Sequence, residues 1–153
     1  MKIEFRSIDR TNYNECIDLH VNNHQKRFVA SNQFSLVQAA YEPNLYPLAV
    51  YNEEQMIGFI LYDFDAELNG WSMSRFMIDT TYQNCGFGKQ ALTQFLTYFK
   101  KNYPHVHKLY TSAEVDNAVA ISLYKKVGFE EGEVFEYEAG GSRYTEVRMS
   151  LSL

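Results

Sequence analysis

One stretch of the sequence constrains the fold more than any other: Phe76-Met77-Ile78-Asp79-Thr80-Thr81-Tyr82-Gln83-Asn84-Cys85-Gly86-Phe87-Gly88-Lys89. An apolar strand runs into a polar loop, and two glycines then open a long amphipathic helix. Phe87, Ala91, Leu92, Phe95, Leu96 and Phe99 share one stripe of that helix, Lys89, Thr93 and Lys100 lie opposite, and Pro104 ends it after Tyr103. Such a helix buries its stripe on a sheet, so the chain reads as α/β. At the helix start the free amides of Cys85 through Lys89 converge, glycines leave room for close approach, and the helix dipole favours an anion. A pyrophosphate fits there, with Lys89 adding a mobile positive charge. The plain alternative is a glycine-softened helix start with no ligand.

Gly86-x-Gly88-x-x-Ala91 also matches the dinucleotide fingerprint, but that fingerprint follows its strand directly, near the start of a domain. Here the polar loop Asp79–Cys85 intervenes, and too little chain follows for a doubly wound sheet. The Walker A pattern fails as well, because Gln90 follows Lys89 and the upstream glycine is missing.

The rest of the chain reads as strands and helices in alternation. Lys2–Ile8 alternates like a half-buried strand, and Tyr13, Cys16, Ile17, His20 and Val21 share a helical side. Ser35-Leu36-Val37-Gln38 has the form of a capping box, predicting a helix from Ser35 to about Glu42, before Pro43. Leu48–Tyr51 and Met56–Tyr62 read as two strands about a turn, Asp63–Asn69 as an acidic connection, and Trp71–Asp79 as a further strand. Lys108–Ala113 is a strand and Asn117–Val127 a helix stopped by Gly128. Strands near Glu133–Tyr137 and Tyr144–Ser150 finish the chain. No repeat or linker interrupts this pattern, so residues 1–153 read as a single domain.

Composition narrows the partners. Fourteen Lys and Arg stand against nineteen Asp and Glu, a net charge of −5, with no basic stripe. That field repels phosphate backbones and welcomes a small cation, so no nucleic acid partner is expected. No apolar run approaches the ~20 residues of a membrane span, and the first residues carry no apolar leader region. Two cysteines, Cys16 and Cys85, make no disulfide framework. A cytoplasmic protein without a membrane partner is expected. Cys16, His20 and His24 would share a helical face, but His20-Val21-Asn22-Asn23-His24 lacks the metalloprotease Glu, and no metal is expected.

The second half carries the other motif. Gln83-x-x-Gly86-x-Gly88 is followed by Asn117-x-x-Ala120-x-x-x-Tyr124-x-x-x-Gly128-Phe129, with a helix and a strand between. In this order and spacing the two motifs resemble the GNAT superfamily of N-acetyltransferases, and the resemblance covers essentially the whole chain. It implies a mixed, mostly antiparallel sheet of about seven strands flanked by about four helices, a homodimer, and acetyl-CoA as cosubstrate. It implies cofactor contacts from Phe76, Met77, Ile78, Gln83, Asn84, Cys85, Gly86, Phe87, Gly88, Lys89, Asn117 and Tyr124. A backbone amide of Phe76–Ile78 would polarise the thioester carbonyl, and Tyr124 would be the catalytic acid that protonates the departing sulfur. Its alternative is a core aromatic beside Ala120 and Val127. Asn84 departs from the family's usual glycine, although Asn tolerates a left-handed backbone better than other residues.

Within the superfamily the segments Phe28–Asn32 with Ser35-Leu36, Tyr41-Glu42-Pro43, Val50-Tyr51, Gly58-Phe59 and Arg75–Gln83 are similar to bacterial spermine/spermidine and diamine acetyltransferases. That similarity implies direct attack of a primary amine, a polyamine such as spermidine or spermine, in a ternary complex. A protein N-terminus, an aminoglycoside or an amino acid are the other acceptors in view, and a non-catalytic acetyl-CoA-binding module is the rival class. Family members often carry a basic carboxylate at the position of Ser74. Asp79, Glu114, Asp63, Asp65 and Glu67 remain as candidate bases, with a water chain as the alternative.

Overall fold

A computed structural model describes all 153 residues. Strands β1 (Ile3–Ser7), β2 (Leu45–Asn52), β3 (Gln55–Asp65), β4 (Gly70–Ile78), β5 (Lys108–Glu114), β6 (Glu130–Ala139) and β7 (Ser142–Ser152) form one sheet. Its order is β1-β2-β3-β4-β5-β7-β6, and every neighbouring pair is antiparallel except β4 and β5. Helices α1 (Tyr13–Asp18), α2 (Asn32–Tyr41), α3 (Phe87–Asn102) and α4 (Ala118–Lys126) complete the mixed α/β architecture that the sequence leads one to expect. No helix is long and apolar enough to cross a membrane.

The α3 stripe does what its periodicity requires. Ala91, Leu92, Phe95, Leu96 and Phe99 are buried against Val50, Ile57, Ile60, Met73, Leu109 and Met149 of the sheet. The second face carries α1 and α2 over Ala49, Tyr51, Phe59, Leu61 and Met77. Truncating a side chain such as Phe95 to alanine would cost about 3–5 kcal/mol, the usual range for a buried aromatic. The sheet's two faces therefore hold two apolar layers, and β4 contributes to both: Met73 and Ile78 to one, Met77 to the other.

Three boundaries differ from the sequence reading. Helix α2 starts at Asn32, because Ser31 and not Ser35 is its N-cap, accepting from the Phe34 amide at 3.1 Å. Ser35 lies inside the helix, buried, where its hydroxyl donates to the Ser31 carbonyl and accepts from Arg75. Helix α1 stops at Asp18: Leu19 is extended, and the His20 amide donates to Asp79 Oδ1 at 2.9 Å instead of continuing the helix. Cys16, His20 and His24 therefore share no helical face. Strand β3 runs on through Asp63 to Asp65, which reduces the acidic connection to Ala66–Asn69.

Candidate active site

The parallel pair in the sheet is short. β4 and β5 are in register only at Trp71, Ser72 and Met73 against Leu109, Tyr110 and Thr111. Thr111 Oγ1 donates to the Met73 carbonyl at 2.9 Å, which fastens the end of the paired stretch. Beyond it, Arg75 to Ile78 pair only with β3, and Ser112 to Glu114 pair only with β7. The strands part there, and a groove of about 1050 Å³ opens between them. Phe76, Met77 and Ile78 line one wall and Thr111, Ser112 and Ala113 the other. An extended ligand laid along β4 could take up the ladder positions that β5 leaves vacant.

The glycine loop lies at the end of that wall. Asp79 caps the 3-10 turn Thr80–Tyr82 by accepting from the Thr81 amide, and Asn84 then turns the chain with φ +61°. Gly86, φ +85°, is the N-cap of α3. No side chain caps this helix, and the first amide bonded within it is that of Gln90, to the Gly86 carbonyl at 3.3 Å. The amides of Phe87, Gly88 and Lys89 are thus left for an outside acceptor. Gly88 sharpens the point. A Cβ built there would meet only Leu123 Cδ2 at 3.6 Å, an ordinary contact, so the protein's own packing does not demand glycine. Glycine inside a helix costs about 1 kcal/mol against alanine. Gly88 lines the groove, and the missing Cβ leaves space there for a pyrophosphate to reach the backbone.

Asn117 is the N-cap of α4, its Oδ1 accepting from the Ala120 amide at 3.2 Å. Two turns on, Tyr124 faces the groove from the far side of the split, its ring 5.7 Å from that of Phe129. Burial pushes its hydroxyl up to about 12, with the nearby Thr111 hydroxyl pulling the other way. It therefore holds its proton throughout the neutral range, as a donor must.

Of the residues singled out by the sequence, Phe76, Met77, Ile78, Gln83, Asn84, Gly88, Asn117 and Tyr124 line the groove. The side chains of Cys85, Phe87 and Lys89 do not. Phe87 packs edge-on against Tyr82, Lys89 is exposed, and Cys85 Sγ donates to the Gln83 carbonyl. Gln83 is occupied too. Its Nε2 donates to the Ile78 carbonyl at 2.9 Å and to Gln25 Oε1 at 3.0 Å, so its side chain buttresses the loop.

The candidate bases separate in the same way. Asp79 is buried and spent on the Thr81 and His20 amides. Asp63 is buried and accepts from Ser74; burial raises its pKa, with the Ser74 bond opposing. Glu114 is buried in an ion pair with Arg27 at 2.9 Å. Asp65 and Glu67 reach the groove, Asp65 accepting from the backbone amides of its own turn. Three groove carboxylates escaped the sequence reading, Asp116, Glu136 and Glu146; the last, on β7, accepts from Ser112 Oγ at 2.7 Å and from the Tyr137 hydroxyl. Only strand pairing brings it there.

A parted parallel strand pair beside an uncapped, glycine-opened helix offers an extended, anionic ligand an open strand edge and free amides. The chain belongs to the GNAT acetyltransferase family, whose model matches residues 11–129. It is an acetyl-CoA-dependent N-acetyltransferase. The spermine/spermidine N(1)-acetyltransferase of Bacillus subtilis (strain 168) is 30% identical over 137 residues, spanning 85% of this chain and 89% of that protein. Among solved structures, spermidine N-acetyltransferase from Vibrio cholerae in complex with CoA and spermine superposes with a TM-score of 0.75 at 18% identity, covering 98% of this chain and 95% of that one. The ribosomal-protein-S18-alanine N-acetyltransferase from Escherichia coli gives 0.71 at 18% identity, covering 99% and 94%.

Proposed function

We propose that the protein transfers the acetyl group of acetyl-CoA to a primary amine of a polyamine such as spermidine or spermine, by direct attack in a ternary complex. The observation that carries this reading is the charge of the groove. Asp65, Glu67, Asp116, Glu136 and Glu146 line it together with Lys26, Arg27, Arg75 and Arg148; Arg27 is paired with Glu114 and Asp116, Arg148 with Glu133 and Glu136 with Arg143, so Asp65, Glu67 and Glu146 are left without an ion-pair partner. Glu146 accepts from Tyr137, whose ring stacks with those of Phe135 and Tyr144, and a carboxylate beside aromatic faces suits an acceptor with several ammonium groups. The relative from Bacillus subtilis, at 30% identity, supports the same substrate class.

Each residue then has a role. The free amides of Phe87, Gly88 and Lys89 would hold the pyrophosphate, and the open edge of Phe76–Ile78 would hold the arm that follows it. Bound acetyl-CoA supplies a thioester whose carbonyl carbon the amine attacks. Tyr124, on the opposite wall, would give its proton to the leaving sulfur. Asn117 fixes the first turn of the helix that presents Tyr124.

Thiol release measured across a panel of amines tests the reading. Spermidine and spermine should be turned over in preference to an N-terminal peptide, an aminoglycoside and an amino acid; preference for one of the latter refutes it. The same reading includes a homodimer in the cytoplasm. An exposed stripe of Phe34, Val37 and Tyr41 on α2 supports the dimer, and the free thiols of Cys16 and Cys85 suit a reducing compartment. Sedimentation at micromolar concentration should find a dimer.

A further inference from the structure

We propose that Glu146 is the carboxylate that receives the acceptor's reacting ammonium, an inference that rests on the cationic-amine reading above. Ser112, its first partner, is the residue at which β5 has just left β4, so the carboxylate stands at the mouth of the split. Its two oxygens are fixed separately: Oε1 accepts from Ser112 Oγ at 2.7 Å and Oε2 from the Tyr137 hydroxyl. A carboxylate oxygen has two lone pairs, so each keeps one for a further donor. Both donors are neutral, which leaves the negative charge unmatched in a half-buried position.

The other acidic groups near the groove lack this combination. Glu114 and Asp116 both face Arg27, and Glu136 faces Arg143. Asp65 is turned to the amides of Glu67 and Leu68, and Glu67 is exposed with nothing to hold its orientation. Glu146 alone has both of its oxygens fixed by side-chain donors while it lines the groove free of a cation. Ala113, Val147 and Tyr124 share one apolar cluster, so Ser112 and Glu146, the alternate residues of β5 and β7, point from the other face of the sheet, and the charge of Glu146 still acts on the Tyr124 hydroxyl. An ammonium held at Glu146 thus approaches the end of the split from the sheet face opposite the proton donor, where an attacking nitrogen belongs. Ser112 and Tyr137 act as positioning residues.

The test is Glu146→Gln, which keeps shape and removes charge. Loss of one charge-assisted hydrogen bond predicts a rise of about 10- to 100-fold in KM for spermidine, with a matching loss of amine affinity by calorimetry. CoA affinity and melting temperature should stay near parental, and Glu146→Asp should recover part of the loss. A Glu146→Gln enzyme with parental KM and parental amine affinity overturns the inference while leaving the polyamine reading intact. A parent that prefers another amine refutes that reading separately, and the same KM comparison on the preferred amine then decides Glu146. Should Glu146→Gln lose its fold, Ser112→Ala combined with Tyr137→Phe releases the carboxylate without removing it. A raised KM there supports the assignment, and an unchanged one overturns it.

Discussion

Gln83 and Gln25 exchange two hydrogen bonds through their side-chain amides: Gln83 Nε2 donates to Gln25 Oε1 at 3.0 Å, and Gln25 Nε2 donates to Gln83 Oε1 at 3.1 Å. Asn22 Nδ2 joins them at Gln83 Oε1, and the Thr80 hydroxyl donates to Asn22 Oδ1. The glycine loop is thereby sewn to the segment that leads into the acceptor side of the groove. Gln83→Ala should unfasten both at once. Its expected signature is a weaker CoA affinity and a higher amine KM together, with roughly 1–3 kcal/mol of stability lost for the orphaned amides. Denaturant unfolding and initial rates would check it, and an effect on CoA alone would contradict the coupling.

Gly88→Val tests the pyrophosphate cradle. The added Cβ meets only Leu123, so the fold should persist, at a helix-propensity difference of well under 1 kcal/mol. CoA affinity, measured by calorimetry, should fall at least about tenfold, because a blocked amide contact to an anion is worth more than about 1.4 kcal/mol.

Tyr124→Phe deletes the donor and keeps the ring against Phe129. A fall of about 10²–10⁴-fold in kcat is expected, with CoA affinity unchanged. The pH response follows from the raised pKa of about 12. A tyrosine raised on folding contributes stability that is complete below the unfolded value of about 10 and is lost as pH climbs through 12. The parent should therefore lose stability relative to Tyr124→Phe between about pH 10 and 12, and no activity loss below pH 10 should trace to this group. Melting curves across that window would show it.

Asp63→Asn carries the opposite sign from most carboxylate substitutions. Burial raises the pKa of Asp63, so its charged form costs stability as pH rises through that value. Asparagine can still accept from Ser74. The variant should match the parent near pH 4 and be at least as stable at pH 7. A variant clearly less stable at pH 7 would show that the carboxylate charge is compensated.

Ser31→Ala should cost about 1 kcal/mol, the usual value of an N-cap, since Ser31 accepts the Phe34 amide. Thermal unfolding measures it directly.

The two serines show where sequence stops short. Ser35-x-x-Gln38 has the capping pattern, yet the helix begins earlier. Asn32 is buried with its amide on the Cys16 carbonyl, and Ser35 is claimed by Arg75 from β4, partners 16 and 40 residues away. Local pattern was enough where the determinant is local: the helix from Asn117 to Val127, the turn at Asn84, the glycines of α3 and the stripe beneath it. It failed for α1, cut short by Asp79, and for Glu146, whose place depends on Ser112 across the β5–β7 pairing. Gln83 was placed correctly at the loop, but its side chain turns inward for a partner no spacing rule could name.

The parted seam between β4 and β5 also bears on how long the molecule lasts. Three paired positions join the two halves of the sheet, so this is where local opening should cost least. A molecule bound along β4 supplies some of the missing cross-links, and one present at a hundred times its Kd adds about 2.7 kcal/mol to the folded state. Opening of the seam, and with it attack by proteases, would then decline as acetyl-CoA rises. The abundance of the enzyme would follow the acetyl supply of the cell with no separate sensor.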